Sequence, residues 1–240
     1  MSRKERLIYE HLKENYGITV FFAYKPFDRI SNYFFIGMEA ARKKLVFVKL
    51  DRTGGEASAR EAALLQLLQP HTGSGYFPNL IAYDAEGRYP FVALEFIEGI
   101  SLAQLMAQRR SLPSKQKQEM VRQMAEISTI LRQANVIHRD IRPANIMFQS
   151  GEAGKLQLTL IDFGFSLGLA PLDLPELPFL IAGELLPTLG DGYKPDDLTW
   201  DDAYSFLIIA HMIDADCYWR SPDKYAKLLS QLNTFRYSHT

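Results

Sequence analysis

The chain has 240 residues with 27 Lys and Arg against 28 Asp and Glu, a formal net charge of −1, and 47% hydrophobic and 12% aromatic residues. That apolar share can build a packed core and excludes a disordered chain, while the near-zero charge argues against bulk binding to nucleic acid. The single cysteine, Cys217, permits no internal disulfide or cysteine zinc site, and neither a signal-type leader nor a transmembrane segment is expected, so the expected setting is cytoplasmic.

Residues 3–15 read as a charged amphipathic helix with Leu7, Ile8, His11 and Leu12 on one side. The period then changes: Ile18–Tyr24, Asn32–Ile36 and Lys44–Leu50 are short runs rich in aromatic and β-branched residues, which predicts an antiparallel meander. Ala57–Gln69 is helical, with Leu64, Leu65 and Leu68 on its apolar face, and 70–78 is a loop. Leu80–Asp84 and Pro90–Ile97 are two further strands. Beyond Gly99 the chain turns helical, over Ser101–Arg109 and Ser114–Ala134. Val136–Gln149 and Lys155–Ile161 read as strand, loop, strand. Ser166–Pro195 holds five of the twelve prolines and reads as a long ordered loop, followed by a helix at Trp200–Ile213 and a helical tail at Asp223–Leu232. Strands first and helices after them make an α+β pattern. His11, His71, His211 and His239 have no metal-ligand spacing with Cys217.

The stretch His138-Arg139-Asp140-Ile141-Arg142-Pro143-Ala144-Asn145, followed 17 residues later by Asp162-Phe163-Gly164, carries the chemistry. Together these resemble the catalytic loop and metal-binding motif of the protein-kinase superfamily. The resemblance implies a bilobal fold, one kinase-like domain over 1–240 with an N-lobe of about 1–98 and a C-lobe of about 99–240. It implies ATP as phosphoryl donor with Mg²⁺, or alternatively Mn²⁺. Asp140 would orient the acceptor hydroxyl, Arg142 would lie near the γ-phosphate, and Asn145 and Asp162 would hold metal through hard oxygens. Val46-Phe47-Val48-Lys49 resembles the strand whose lysine meets the α/β-phosphates, and Glu61 fits as its helix partner better than Glu56. Leu94-Glu95-Phe96-Ile97-Glu98-Gly99 resembles the hinge, with Leu94 as gatekeeper and the backbones of Glu95 and Ile97 facing the adenine. His138, Arg139 and Asp202 would be structural supports, the last bracing the catalytic-loop backbone.

Four departures stand beside this. The turn Lys25–Ser31 has no glycine where phosphates are expected to be cradled, so Lys25, Arg29 or Ser31 would have to substitute. Arg142 replaces a lysine of serine/threonine kinases, although Pro143 is of the serine/threonine form. Arg139 invites a phosphorylated loop partner, yet 166–194 offers only Ser166, Thr188 and Tyr193, and Lys194-Pro195-Asp196 is a poor A-P-E element; activity is expected to be independent of loop phosphorylation. Only 27 residues follow Ile213, too few for the usual substrate-docking helices, while 167–189 is strongly apolar. That segment is expected to pack over the lobe, or to meet a partner or membrane-associated acceptor. The leading expectation is an ATP-dependent kinase acting on Ser/Thr of a protein; a glycan, lipid-linked sugar or small-molecule kinase is the alternative, and a pseudokinase scaffold the second.

Overall fold

The computed structural model describes residues 3–24, 33–51, 53–108, 112–150, 156–169 and 185–237. Helix α1 (Arg3–Tyr16) leads into strands β1 (Ile18–Tyr24), β2 (Tyr33–Glu39) and β3 (Lys44–Leu50); helix α2 (Glu56–Leu68) precedes β4 (Leu80–Asp84) and β5 (Phe91–Glu95). The strands form one antiparallel sheet in the order β1-β2-β3-β5-β4. Alternation decides its two faces. Val46, Val48 and Leu50 point to one side, where Ile8 and Leu12 of α1 close a cluster with Ile18, Phe35, Phe91 and Ala93. Phe47 and Lys49 point the other way, toward the cleft. Asp51 caps the start of α2, accepting the Ser58 N–H at 2.7 Å, and so satisfies one of the orphan donors of its first turn. Leu64, Leu65 and Leu68 of α2 bury against Val92, Leu94, Phe77 and Phe163 in the larger second core.

After the short β6 (Ile100–Ser101), the chain continues through α3 (Leu102–Ala107) and α4 (Ser114–Gln133), then β7 (Val136–Ile137), β8 (Ile146–Ser150), β9 (Leu156–Leu160) and β10 (Leu167–Gly168). The remainder is β11 (Thr199–Trp200), α5 (Asp202–Ile213), α6 (Cys217–Arg220), α7 (Pro222–Leu229) and β12 (Phe235–Arg236). A capping box between Ser101 and Gln104 starts α3. Helix α4 is the spine of the C-lobe: Met120, Val121, Met124, Ile127 and Leu131 are buried along it, and α5 and α7 pack against it. The result is α+β, a strand-rich N-lobe followed by a mainly helical C-lobe.

The structure departs from the sequence expectations in several places. β2 runs three residues past Ile36, because Gly37 lets the neighbouring strand approach: a Cβ there would sit 2.7 Å from the Thr19 carbonyl. The expected loop after α2 begins as a 3₁₀ turn, Gln69–Ser74. The helix expected from Trp200 starts two residues later, since Thr199 and Trp200 pair as a strand with Arg236 and Phe235. Asp201 then caps α5 by accepting the Tyr204 N–H at 3.1 Å. The tail is a helix only to Leu229, and its end returns as a strand. Within the expected long loop, Leu167 and Gly168 pair with Ile137 and Val136. Leu186 and Leu189 bury against Ile137 and Trp200. The glycine-free turn Lys25–Ser31 and the apolar stretch 170–184 lie outside the described residues.

Candidate active site

Lys49 projects from the cleft face of β3 and is almost wholly buried. Its Nζ donates to Glu61 of α2 at 2.7 and 3.0 Å and to Oδ1 of Asp162 at 2.8 Å. One ammonium group thus ties a strand, a helix and the segment after β9. Burial works against the charge on Lys49, but the Asp162 and Glu61 carboxylates more than offset it and hold the amine protonated. Burial pushes the Glu61 carboxyl up, against the pull of Lys49. Asp162 goes the opposite way: burial would raise it, but the charge and hydrogen bond of Lys49 hold it below the usual carboxylate range. Asp162 sits deep between the lobes, yet 40% of its side-chain surface opens to the cleft. Phe47 shares that sheet face and stacks on Phe34 with ring centroids 5.4 Å apart.

The second half of the site is the turn after β7. Arg139 and Asp162 both adopt left-handed backbone conformations, with φ of 66° and 71°, a strained geometry that clusters at functional sites. Asp140 is 5% exposed, and both carboxylate oxygens have partners. Oδ1 accepts the Gly190 N–H at 2.8 Å; Oδ2 accepts from Asn145 Nδ2 at 2.8 Å and lies 3.3 Å from Arg142 Nε. Burial raises the Asp140 carboxyl, with the Arg142 charge and the Gly190 N–H acting against it. Asn145 Nδ2 also donates to the Asp140 carbonyl at 2.9 Å, which fixes the 3₁₀ turn Pro143–Asn145 around the carboxylate.

His138 organises the floor. Its Nε2 lies 3.0 Å from the Ile161 carbonyl and its Nδ1 3.3 Å from the Asp140 N–H. A carbonyl only accepts and an amide only donates, so the ring is the neutral Nε2–H tautomer. Burial agrees, pulling the imidazole down to about 4. The His138 N–H donates to Asp202 Oδ2 at 2.8 Å. Burial pushes that carboxyl up to about 7, against the backbone donors of His138 and Arg139. Phe163 is fully buried, edge-on to His138 at 4.8 Å and to Phe77 at 5.9 Å, and its N–H reaches Glu61 Oε1 at 3.2 Å. Arg139 is 3% exposed; its guanidinium lies 5.6 Å from the Trp200 ring and its Nε donates to the Phe165 carbonyl. Burial, aided by nearby Arg60, lowers it to about 9.

Leu94 is buried on β5, and Glu95 ends that strand with its N–H donated to the Asn79 carbonyl at 2.8 Å. That N–H is therefore already paired within the N-lobe. Two residues of this neighbourhood escaped the sequence reading, Gly190 and Trp200. Gly190 lies 50 residues from Asp140 in the chain, and no short-range pattern links such positions. Its signal was the glycine pair Gly190 and Gly192; at Gly190 φ is 66° and a Cβ would sit 2.8 Å from the Arg139 carbonyl. His211 and Cys217, whose spacing suggested nothing, come within 3.8 Å. Among the described residues no group of three or more His, Cys, Asp or Glu forms a metal cage. Asp162 and Asn145 carry oxygens of the hard type that Mg²⁺ prefers.

A two-lobed α+β unit with a lysine bridging to both a helix glutamate and a cleft aspartate, beside a paired aspartate and asparagine, defines a class of phosphotransferase folds. The family model described as protein kinase domain matches residues 36–173, and the chain belongs to that family. It is 33% identical over 105 residues to serine/threonine-protein kinase C of Synechocystis sp., covering 44% of this chain and 19% of that protein. It is 27% identical over 158 residues to serine/threonine-protein kinase ATG1b of Arabidopsis thaliana, with 62% and 21% covered. It is also 27% identical over 162 residues to the phosphorylase b kinase gamma catalytic chain, liver/testis isoform, of Bos taurus, with 66% and 38% covered. These matches span well under half the length of the curated relatives. No helix among the described residues is long and apolar enough to cross a membrane.

Proposed function

We propose that this chain is one catalytic unit, with lobes meeting near Glu95–Gly99, that transfers the γ-phosphoryl group of ATP to a serine or threonine hydroxyl of a protein. The observation that carries the reading is the junction of Lys49, Glu61 and Asp162 in the same cleft as Asp140 and Asn145. A structural ion pair alone needs no second acid or amide facing the same opening. Lys49 would hold the α/β-phosphates, kept charged and aimed by its two carboxylates. Asp140 would accept the hydrogen bond of the acceptor hydroxyl and take its proton, a carboxylate having lone pairs beyond those its present partners use. Arg142, with 48% of its side-chain surface open, would meet the γ-phosphate side of the cleft. Leu94, Phe47 and the backbone of Glu95 and Ile97 would receive the base. Asp162 and Asn145 would hold Mg²⁺ or Mn²⁺, which when bound neutralises phosphate charge in the transition state. His138, Arg139 and Asp202 would support these groups without touching substrate.

The serine/threonine acceptor draws on the names of the relatives and on Pro143 of the catalytic loop. The test is γ-labelled ATP with Mg²⁺ offered to a cell lysate whose protein, lipid and soluble fractions are then separated. Label is expected in the protein fraction, with Asp140→Asn lowering transfer by about 10²–10⁴-fold. Label in the lipid or glycan fraction would instead assign the other acceptor class. ATP binding without transfer to any fraction would sink the enzymatic reading in favour of a scaffold.

A further inference from the structure

The peptide unit joining Leu189 to Gly190 is held at both ends. Its N–H donates to Asp140 Oδ1 at 2.8 Å, and its carbonyl accepts the indole N–H of Trp200 at 3.0 Å. Donation to a carbonyl polarises the amide and strengthens the bond its own N–H makes, so the two hydrogen bonds support each other. Both lie in a buried setting: Trp200 is 1% exposed and Asp140 5%. The left-handed backbone of Gly190, with a Cβ excluded by the Arg139 carbonyl, is what brings this peptide against the carboxylate.

Trp200 is itself held on three sides. The Arg139 guanidinium lies 5.6 Å from its ring, a cation–π contact in a site nearly closed to water. Phe235 of β12 stacks on it with centroids 6.5 Å apart. Its backbone pairs with Phe235, while the Asn233 N–H donates to the adjacent Asp201 at 2.7 Å and the Tyr237 N–H to the Leu198 carbonyl at 2.9 Å. A segment near residue 235 is thereby connected through Trp200 and one peptide unit to Asp140.

We infer that Trp200 is a positioning residue for Asp140, acting through the Leu189–Gly190 peptide, and that the strand Phe235–Arg236 holds it in that role. Arg139 meets an indole face here, and the brace ties the segment before α5 to the turn that carries Asp140. The inference rests on the proposed phosphoryl transfer, in which Asp140 orients the acceptor hydroxyl. Trp200 touches no reacting atom in this scheme.

The test replaces Trp200 in the full chain by benzothienylalanine, which keeps the bicyclic shape and the stacking but carries sulfur in place of the N–H. Two quantities are read: hydrogen exchange at the Gly190 amide, and kcat and KM for ATP with the acceptor found in the labelling experiment. Loss of one such hydrogen bond is expected to speed Gly190 exchange and to lower kcat, each by about fivefold to tenfold, with KM for ATP unchanged. Unchanged Gly190 exchange in the folded variant would overturn the relay. Faster exchange with unaltered kcat would overturn the positioning role, and an equal loss in KM for ATP would point to a merely structural part. If the unmodified protein transfers no phosphoryl group at all, the functional reading fails by itself. A rise in Gly190 exchange would even then separate that failure from failure of the relay.

Discussion

Lys49 makes the sharpest statement at the scale of single residues. It is a buried ammonium with two carboxylates, and neither acid would tolerate its loss equally. Glu61 is enclosed by protein, whereas Asp162 opens to the cleft. Lys49→Met is therefore expected to cost about 3–5 kcal/mol in a denaturant titration, the penalty for a buried charge stripped of its partner. Lys49→Met with Glu61→Gln should recover much of that stability and none of any phosphoryl transfer. A double variant as unstable as the single would show that the packing of the lysine stem, and not the orphaned carboxylate, sets the cost.

His138 and Asp202 form a pair with opposite pH responses. The folded imidazole protonates near 4 against an ordinary 6.5, so as pH falls from about 6.5 to 4 the unfolded chain binds the proton first and stability declines. The folded Asp202 carboxyl protonates near 7 against an ordinary 3.8, so over about 7 to 4 the folded chain binds it first and stability increases. The two slopes oppose each other in one window. Asp202→Asn keeps an oxygen acceptor for the His138 N–H and removes one slope. Between pH 6.5 and 4 this variant is expected to lose about 3 kcal/mol more than the parent protein, followed by melting at each pH. Parallel curves for the two proteins would refute the compensation.

At the scale of elements, the joint between α4 and β9 shows how a helix can complete a sheet edge. Gln123 is buried, and its amide donates to the Leu156 carbonyl at 2.8 Å and accepts the Leu158 N–H at 2.7 Å. One side chain thus does for β9 what another strand would do. Gln123→Met preserves volume and helix propensity but orphans both backbone groups, an expected loss of about 2–4 kcal/mol by denaturant midpoint. That Ser114–Ala134 is helical was legible in the sequence. Gln123 was not, because a polar residue in such a run reads as solvent-facing until the strand it serves is known. The same limit explains β11 and β12. Two-residue strands carry no alternation of their own, and they exist here because Trp200 and Phe235 stack.

Among the described residues three apolar clusters build the molecule, one closed by α1 over the N-lobe sheet, one organised by α4 and a small one around Ile137, Leu186, Leu189 and Trp200, with α2 and Lys49 linking the first two. Regulation belongs to this scale. Ser166 is buried and donates to the His138 carbonyl at 3.2 Å, and Arg139 is covered by Trp200. Phosphatase treatment of the purified protein is therefore expected to leave phosphoryl transfer within about twofold; a loss beyond tenfold would show that a phosphate, and not the buried brace, organises the site. The sequence by itself determined the order of the longer strands and helices, the apolar faces of α1 and α2, and the kinase-like motifs, because each is written in periodicity or in residues a few positions apart. Tertiary structure alone decided that Lys49, besides its helix partner Glu61, also meets Asp162, that the Glu95 N–H is taken up by Asn79, and that Gly190 and Trp200 converge on Asp140. Those contacts join positions up to 113 residues apart, and local chemistry constrains only what a residue can bond, not which distant partner the packing will bring to it.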